Sequence, residues 1–113
     1  MSTKLLLVDD HKIMRHGIRS LLDKEADMEV LEETNNGRTA IELARNLSPD
    51  VIIMDIAMHD LNGIEATRQI STELPEVKVI MLSMHSDRQM VADALQAGAS
   101  GYLLKDCEFE ELM

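Results

Sequence analysis

The stretch VIIMD at residues 51–55 decides the fold of this chain, because four consecutive apolar residues end on an acid. Strands that are buried on both faces have this composition, and they belong to parallel sheets. Four further short apolar runs lie at residues 5–8, 28–31, 77–82 and 101–104. The stretches between the runs carry apolar residues at helical spacing. This alternation predicts an α/β fold, an open three-layer sandwich around a five-stranded parallel sheet.

Four helices are predicted between the strands, with apolar stripes over residues 13–22, 40–47, 64–74 and 90–95. A fifth segment at residues 107–113 has seven residues, about half of a typical helix of about 11–12 residues. We therefore expect a truncated last helix in a chain that is a piece of a longer protein. Such a helix leaves apolar surface uncovered, which makes a homodimer a possible assembly.

Composition limits what this chain does. Its 113 residues fit one domain, 1–113, and the formal net charge of −10 argues against direct binding of nucleic acid. The single cysteine, Cys107, has no partner for an internal disulfide, which favours a reducing, cytoplasmic location. We expect no membrane span and no signal peptide, because no apolar run approaches about 18 residues.

Polar residues follow four of the five predicted strands. In a parallel sheet the functional groups collect past the carboxyl ends of the strands. The residues at these positions are Asp9 and Asp10 after the first strand, Asp55 after the third, Ser83 after the fourth and Lys105 after the fifth. Three carboxylates brought together need a cation between them, and hard oxygen ligands favour Mg²⁺. The sequence therefore predicts a magnesium site at this edge of the sheet.

The same residues suit phosphoryl transfer. Asp55 can act as the nucleophile and form an acyl phosphate, while Lys105 and the hydroxyl of Ser83 contact the phosphoryl oxygens. Taken singly, each residue has an ordinary explanation as a turn, a helix cap or a surface lysine. Their joint placement at neighbouring strand ends is what favours the functional interpretation.

Four segments of the chain resemble one known family. They are residues 6–11 (LLVDDH), 49–55 (PDVIIMD), 61–65 (LNGIE) and 98–106 (GASGYLLKD). With these segments the whole chain resembles the response-regulator receiver domain of bacterial two-component signalling, in its NarL/FixJ-like subgroup of LuxR-type transcriptional regulators. The resemblance implies a flavodoxin-like strand order 2-1-3-4-5.

The resemblance also implies a role for each site residue. Asp55 is the phosphoacceptor; Asp10 and Asp55 bind Mg²⁺ through side chains, Ala57 through its carbonyl and Asp9 through water. Ser83 and Lys105 contact the phosphoryl group, and Ser83 with Tyr102 forms the switch. The implied partners are a sensor histidine kinase and, through an output domain absent from this chain, DNA. Such a domain is a phospho-accepting regulator and not a turnover enzyme.

The chain departs from the family pattern at two positions, where His59 and Asp106 replace prolines. Asp106 makes a trans bond after Lys105 the expectation, since a cis bond before a non-proline residue costs about 2.5–4 kcal/mol. His11 and His16 are predicted to be helix-surface residues. His85 lies two residues after Ser83, and we hypothesise that His85 and Ala57 set how readily water reaches the acyl phosphate.

Two alternatives remain open. A haloacid-dehalogenase-like phosphatase also uses an aspartate after a parallel strand, but that family needs a second aspartate where Ala57 stands. A non-phosphorylated protein-binding module of the same fold would lack one of the acid, serine or lysine groups. All of these groups are present in the sequence.

Overall fold

The computed structural model describes residues 3–9, 11–55, 63–83, 92–93 and 95–104, with residues 83 and 102–104 described by their backbone alone. The strands are β1 (Thr3–Val8), β2 (Met28–Thr34), β3 (Val51–Asp55), β4 (Lys78–Ser83) and β5 (Gly101–Leu104). The helices are α1 (Lys12–Asp23), α2 (Gly37–Leu47) and α3 (Gly63–Glu73). Residues 92–93 and 95–96 are helical as well, and all but residue 96 lie within the fourth predicted stripe. The predicted last helix at residues 107–113 lies outside the described residues.

The strands form one sheet in the order β2-β1-β3-β4-β5, and every neighbouring pair is parallel. The predicted α/β class with a parallel sheet is confirmed. In this order β3 is the central strand and β2 lies at an edge. The chain turns from β1 outward to β2 and then back across to β3, so the carboxyl ends of β1 and β3 flank the point where the strand order reverses.

The core has two parts, one on each face of the sheet. Successive residues of β1 point to opposite faces, so Leu6 and Val8 pack with the cluster that α2 and α3 complete. Leu5 and Leu7 pack on the other face with Ile18 and other residues of the α1 side. The side chains of Leu6, Leu7 and Val8 are all fully buried. Helices therefore cover both faces, which gives the three layers.

Strand β2 is longer than its apolar run predicts. It continues past residue 31 through Glu32 and Glu33 to Thr34. The predicted run ends before the two consecutive acids, but an edge strand is partly solvated and accepts charged side chains when they have partners. Glu33 has such partners on α1, which explains the extension.

Candidate functional site

The carboxylates of Asp9 and Asp55 lie side by side at the carboxyl edge of the sheet. Asp9 follows β1 directly and Asp55 ends β3, and the register pairs Val8 with Met54 immediately before them. Both acids are buried, with 0% and 1% of their surface exposed. Two adjacent buried carboxylates are costly when both are ionised, unless a cation or a set of donors compensates the charge.

His11 lies closer to these acids than its predicted position on the helix surface. It is the residue that precedes α1, and its backbone N–H donates to Asp9 Oδ1 at 2.8 Å. Its ring Nδ1 lies 3.1 Å from the same oxygen and 3.6 Å from Asp55 Oδ2. The ring itself is 59% exposed. The prediction of exposure is correct, and the ring also lies beside both carboxylates, a contact that the prediction did not include.

Arg15, which lies on α1, holds the main chain of Asp9. Its Nη1 donates to the carbonyl oxygen of Asp9 at 2.7 Å, and its Nε donates to Glu33 Oε1 on β2 at 3.0 Å. Arg19, one helical turn later, donates from Nη1 to Glu33 Oε2 at 2.7 Å. Both carboxylate oxygens of Glu33 are therefore engaged by α1, and one of the two arginines also holds the main chain of the site.

The charges in this cluster reinforce one another. The hydrogen bond from Arg19, with a further one from Arg15, holds the pKa of the Glu33 carboxyl below its ordinary value against the opposing effect of burial. The same bond to Glu33 raises the pKa of Arg19. Sequence reasoning missed this cluster. The available signal was an i, i+4 pair of arginines on a predicted helix followed by two acids in the next strand.

Only part of the predicted site can be located. Ser83 ends β4, one residue beyond Leu82, which pairs with Asp55 in the sheet. Tyr102 lies in β5 opposite Met81. The remaining predicted site residues, Asp10, Ala57 and Lys105, lie outside the described residues, as do His59, His85 and Asp106. Asp9 and Asp55 are thus the predicted pair that the structure brings together.

These residues fit the predicted metal in their donor chemistry. Asp9, His11 and Asp55 each offer a ligand atom, and the three atoms lie within 4.8 Å of one another. The carboxylate oxygens are hard donors of the kind that Mg²⁺ prefers, and a divalent cation offsets their mutual repulsion. A nitrogen donor was not part of the predicted set.

Among the described residues, no helix is long and apolar enough to span a membrane.

Comparison with known proteins identifies the family. A family model described as the response regulator receiver domain matches residues 5–113. This chain belongs to the response regulator receiver domain family. The receiver domain is 42% identical over 110 residues to the transcriptional regulatory protein DegU of Brevibacillus brevis, covering 97% of this chain and 47% of that protein. It is 43% identical over 112 residues to the response regulator protein VraR of Staphylococcus aureus, covering 99% and 54%.

A solved structure agrees with these relatives. A two-component response regulator of the LuxR family from Aurantimonas sp. SI85-9A1 has a TM-score of 0.94 at 34% identity, covering 99% of this chain and 80% of that one. The predicted family, with its LuxR-type relatives, is confirmed. The receiver domain spans about half the length of the curated relatives it matches.

Proposed function

We propose that this receiver domain is a phosphorylation-dependent switch in which Asp55 accepts a phosphoryl group from a sensor histidine kinase in the presence of Mg²⁺. The observation that carries the proposal is the burial of the Asp55 carboxylate at the end of the central strand, directly beside Asp9. Burial of a charged side chain is costly, and an acid that only ended a strand would gain nothing from it. Membership of the receiver family supports the same role.

The reaction uses the residues at the strand ends. An oxygen of the Asp55 carboxylate attacks phosphorus, an O–P bond forms, and the P–N bond of the kinase phosphohistidine breaks, leaving its electron pair on the imidazole. Asp9, Asp10, Asp55 and the carbonyl of Ala57 would hold the Mg²⁺, which offsets charge on the phosphoryl oxygens. Ser83 and Lys105 contact those oxygens. The domain is in this proposal a self-catalysed phospho-acceptor and not a turnover enzyme.

The proposed output of phosphorylation is a change in transcription. Ser83 and Tyr102 form the switch that reports phosphorylation, and a DNA-binding output domain outside this chain regulates transcription. The name of DegU as a transcriptional regulatory protein supports that output. We also propose that the domain extends over residues 1–113, that it is cytoplasmic and that it forms a homodimer.

Intact mass after incubation with Mg²⁺ and acetyl phosphate tests the central step. We expect the wild-type chain to gain the mass of one phosphoryl group and Asp55→Asn to gain none. Asp50→Asn is the matched control, because Asp50 flanks the other end of β3 and is exposed. This control should gain the same mass as the wild type.

Circular dichroism of each variant separates loss of chemistry from loss of folding. A folded wild-type chain that gains no mass with acetyl phosphate or with a phosphorylated kinase contradicts the proposal. It would favour the alternative of a non-phosphorylated protein-binding module with the same fold.

A further inference from the structure

We propose that His11 is a metal ligand of this site, so that the receiver domain binds transition-metal dications such as Co²⁺ through a nitrogen donor in addition to carboxylates. The inference rests on the metal site of the proposed function. It adds a donor that lies outside the predicted set of Asp9, Asp10, Asp55 and Ala57.

The distances around the ring have the dimensions of a coordination sphere. Ligands about 2.1 Å from a six-coordinate ion lie about 3.0 Å apart when adjacent and about 4.2 Å apart when opposite. Nδ1 of His11 lies 3.1 Å from Asp9 Oδ1 and 3.6 Å from Asp55 Oδ2. The first separation is that of adjacent ligands, and the second lies about midway between the adjacent and the opposite values. The ring nitrogen and one oxygen from each acid can therefore approach a single ion with small movements.

The backbone of His11 is held in place for this role. Its N–H donates to Asp9 Oδ1, and its carbonyl accepts the first bond of α1 from the N–H of Arg15 at 2.9 Å. Arg15 in turn holds the carbonyl of Asp9. The main chain at Asp9 and at His11 is thus held by hydrogen bonds, which lowers the entropy lost when the ring binds a metal.

The exposure of the ring supplies the other requirement. Because 59% of the His11 side chain is in contact with solvent, an ion can reach Nδ1 directly and keep water ligands on the open side. The two carboxylates below it are buried. The site is therefore closed by acids on the protein side and bounded by an imidazole on the solvent side.

The ligand set determines which ions gain from the histidine. Mg²⁺ prefers oxygen donors and retains several waters, so it gains little from a nitrogen. Imidazole suits Co²⁺, Ni²⁺ and Zn²⁺, whose affinity for nitrogen sites exceeds that of the hard ions. His11 should consequently raise the affinity for the second group and leave the affinity for Mg²⁺ nearly unchanged.

Calorimetric titration of the wild-type chain with Co²⁺ and, separately, with Mg²⁺ tests the inference. In His11→Ala we expect the Co²⁺ affinity to fall at least about tenfold, since loss of even an outer partner of a ligand costs about 10–100-fold. The Mg²⁺ affinity should change by less than about threefold, because Mg²⁺ does not need the nitrogen. His16→Ala is the matched control, as His16 is an exposed histidine on α1, the helix that His11 precedes.

A spectroscopic signature identifies the donor itself. Co²⁺ bound by His11 gives strongly shifted proton resonances from the imidazole, and we expect these resonances in the wild type and in His16→Ala but not in His11→Ala. Equal Co²⁺ affinity in the wild type and His11→Ala would overturn the inference. So would a rise in Mg²⁺ affinity of several-fold in His11→Ala, because the ring would then compete with the metal.

Failure of this inference is distinguishable from failure of the proposed function. The titrations require no phosphodonor, so they measure the role of His11 separately from phosphoryl transfer to Asp55, and the control His16→Ala should still gain one phosphoryl group with Mg²⁺ and acetyl phosphate. A chain that binds Co²⁺ through His11 but is never phosphorylated contradicts the proposed function alone. A chain that is phosphorylated but loses no Co²⁺ affinity in His11→Ala contradicts this inference alone.

Discussion

The same residue type flanks β3 at both ends, with different results. Asp50, just before the strand, is exposed, and its carboxylate accepts the backbone N–H of Lys4 at 2.8 Å. Its own N–H donates to the carbonyl of Lys4, and its carbonyl accepts from the N–H of Lys78. Asp55, the last residue of the strand, is buried beside Asp9. One acid bonds the main chains of the two neighbouring strands, β1 and β4, and the other lies beside a second acid.

The amino edge of the sheet stabilises the fold, while the carboxyl edge holds the residues of the proposed chemistry. At the amino edge the carboxylate and the main chain of Asp50 are matched by backbone partners. At the carboxyl edge buried charges of one sign are placed together, and real proteins accept such local costs mainly at functional sites. Variants at the amino edge should therefore change stability and leave phosphorylation intact.

Gly98, which precedes β5 at the amino edge, should show the largest effect. Its φ of +112° is unfavourable for other residues, and an added Cβ would clash with the side chain of Ser71 on α3. We expect Gly98→Ala to lower the free energy of unfolding in urea by about 3 kcal/mol. Any chain that remains folded should still accept a phosphoryl group.

Gly101 is the matched control for this change. A Cβ at Gly101 would meet Ile80 Cγ1 at 3.8 Å, an ordinary contact. Gly101→Ala should thus alter stability by less than about 1 kcal/mol. If the two variants were equally stable, the close packing of Gly98 on α3 would not be a constraint on the fold.

Asp50 itself should show a smaller effect. Asp50→Ala removes the acceptor for the N–H of Lys4, and we expect a loss of about 1 kcal/mol in urea unfolding. Asp50→Asn retains an oxygen acceptor and should lose less than half of that. If Asp50→Ala prevented phosphorylation while remaining folded, the division between the two edges would be wrong.

Glu33 should give the smallest effect, and it should depend on pH. Its folded pKa lies below the ordinary value of 4.5, so its ion pairs stabilise the fold fully above that pH. This stabilisation, about 0.5–1 kcal/mol, is lost as the pH falls through the folded pKa. In urea unfolding, Glu33→Gln should be less stable than the wild type at pH 7, and the difference should shrink at pH 4 and below. A difference that grew on acidification would contradict the sign.

The short apolar runs were enough to predict most of the fold and one pair of site residues, Asp9 and Asp55. The run at residues 51–54 and the run at residues 5–8 placed β1 and β3 as buried parallel strands, and so placed Asp9 beside Asp55. Register in a parallel sheet is set by buried residues, which the sequence displays directly. The roles of all the predicted site residues stay predictions, and Asp10, Ala57 and Lys105 also lie outside the described residues.

The surroundings of the pair did not follow from the sequence. Arg15 contacts Asp9 and Glu33 because of the direction in which α1 packs against the sheet, and no periodicity encodes that direction. His11 contacts both acids for the same reason. Long polar side chains reach their partners through the tertiary arrangement, and short apolar runs do not carry this information.

The alternation of side chains in β1 makes the direction of Asp9 depend on the number of residues in the strand. Leu5 and Leu7 face α1, while Leu6 and Val8 face α2 and α3. A one-residue insertion or deletion within the strand would exchange these two sets between the layers and turn the acid that follows to the wrong side. Substitutions in this segment by side chains of similar volume should be tolerated. A change in the length of the segment should not. The distance in residues from the first buried leucine to Asp9 is as much a part of the site as the carboxylate.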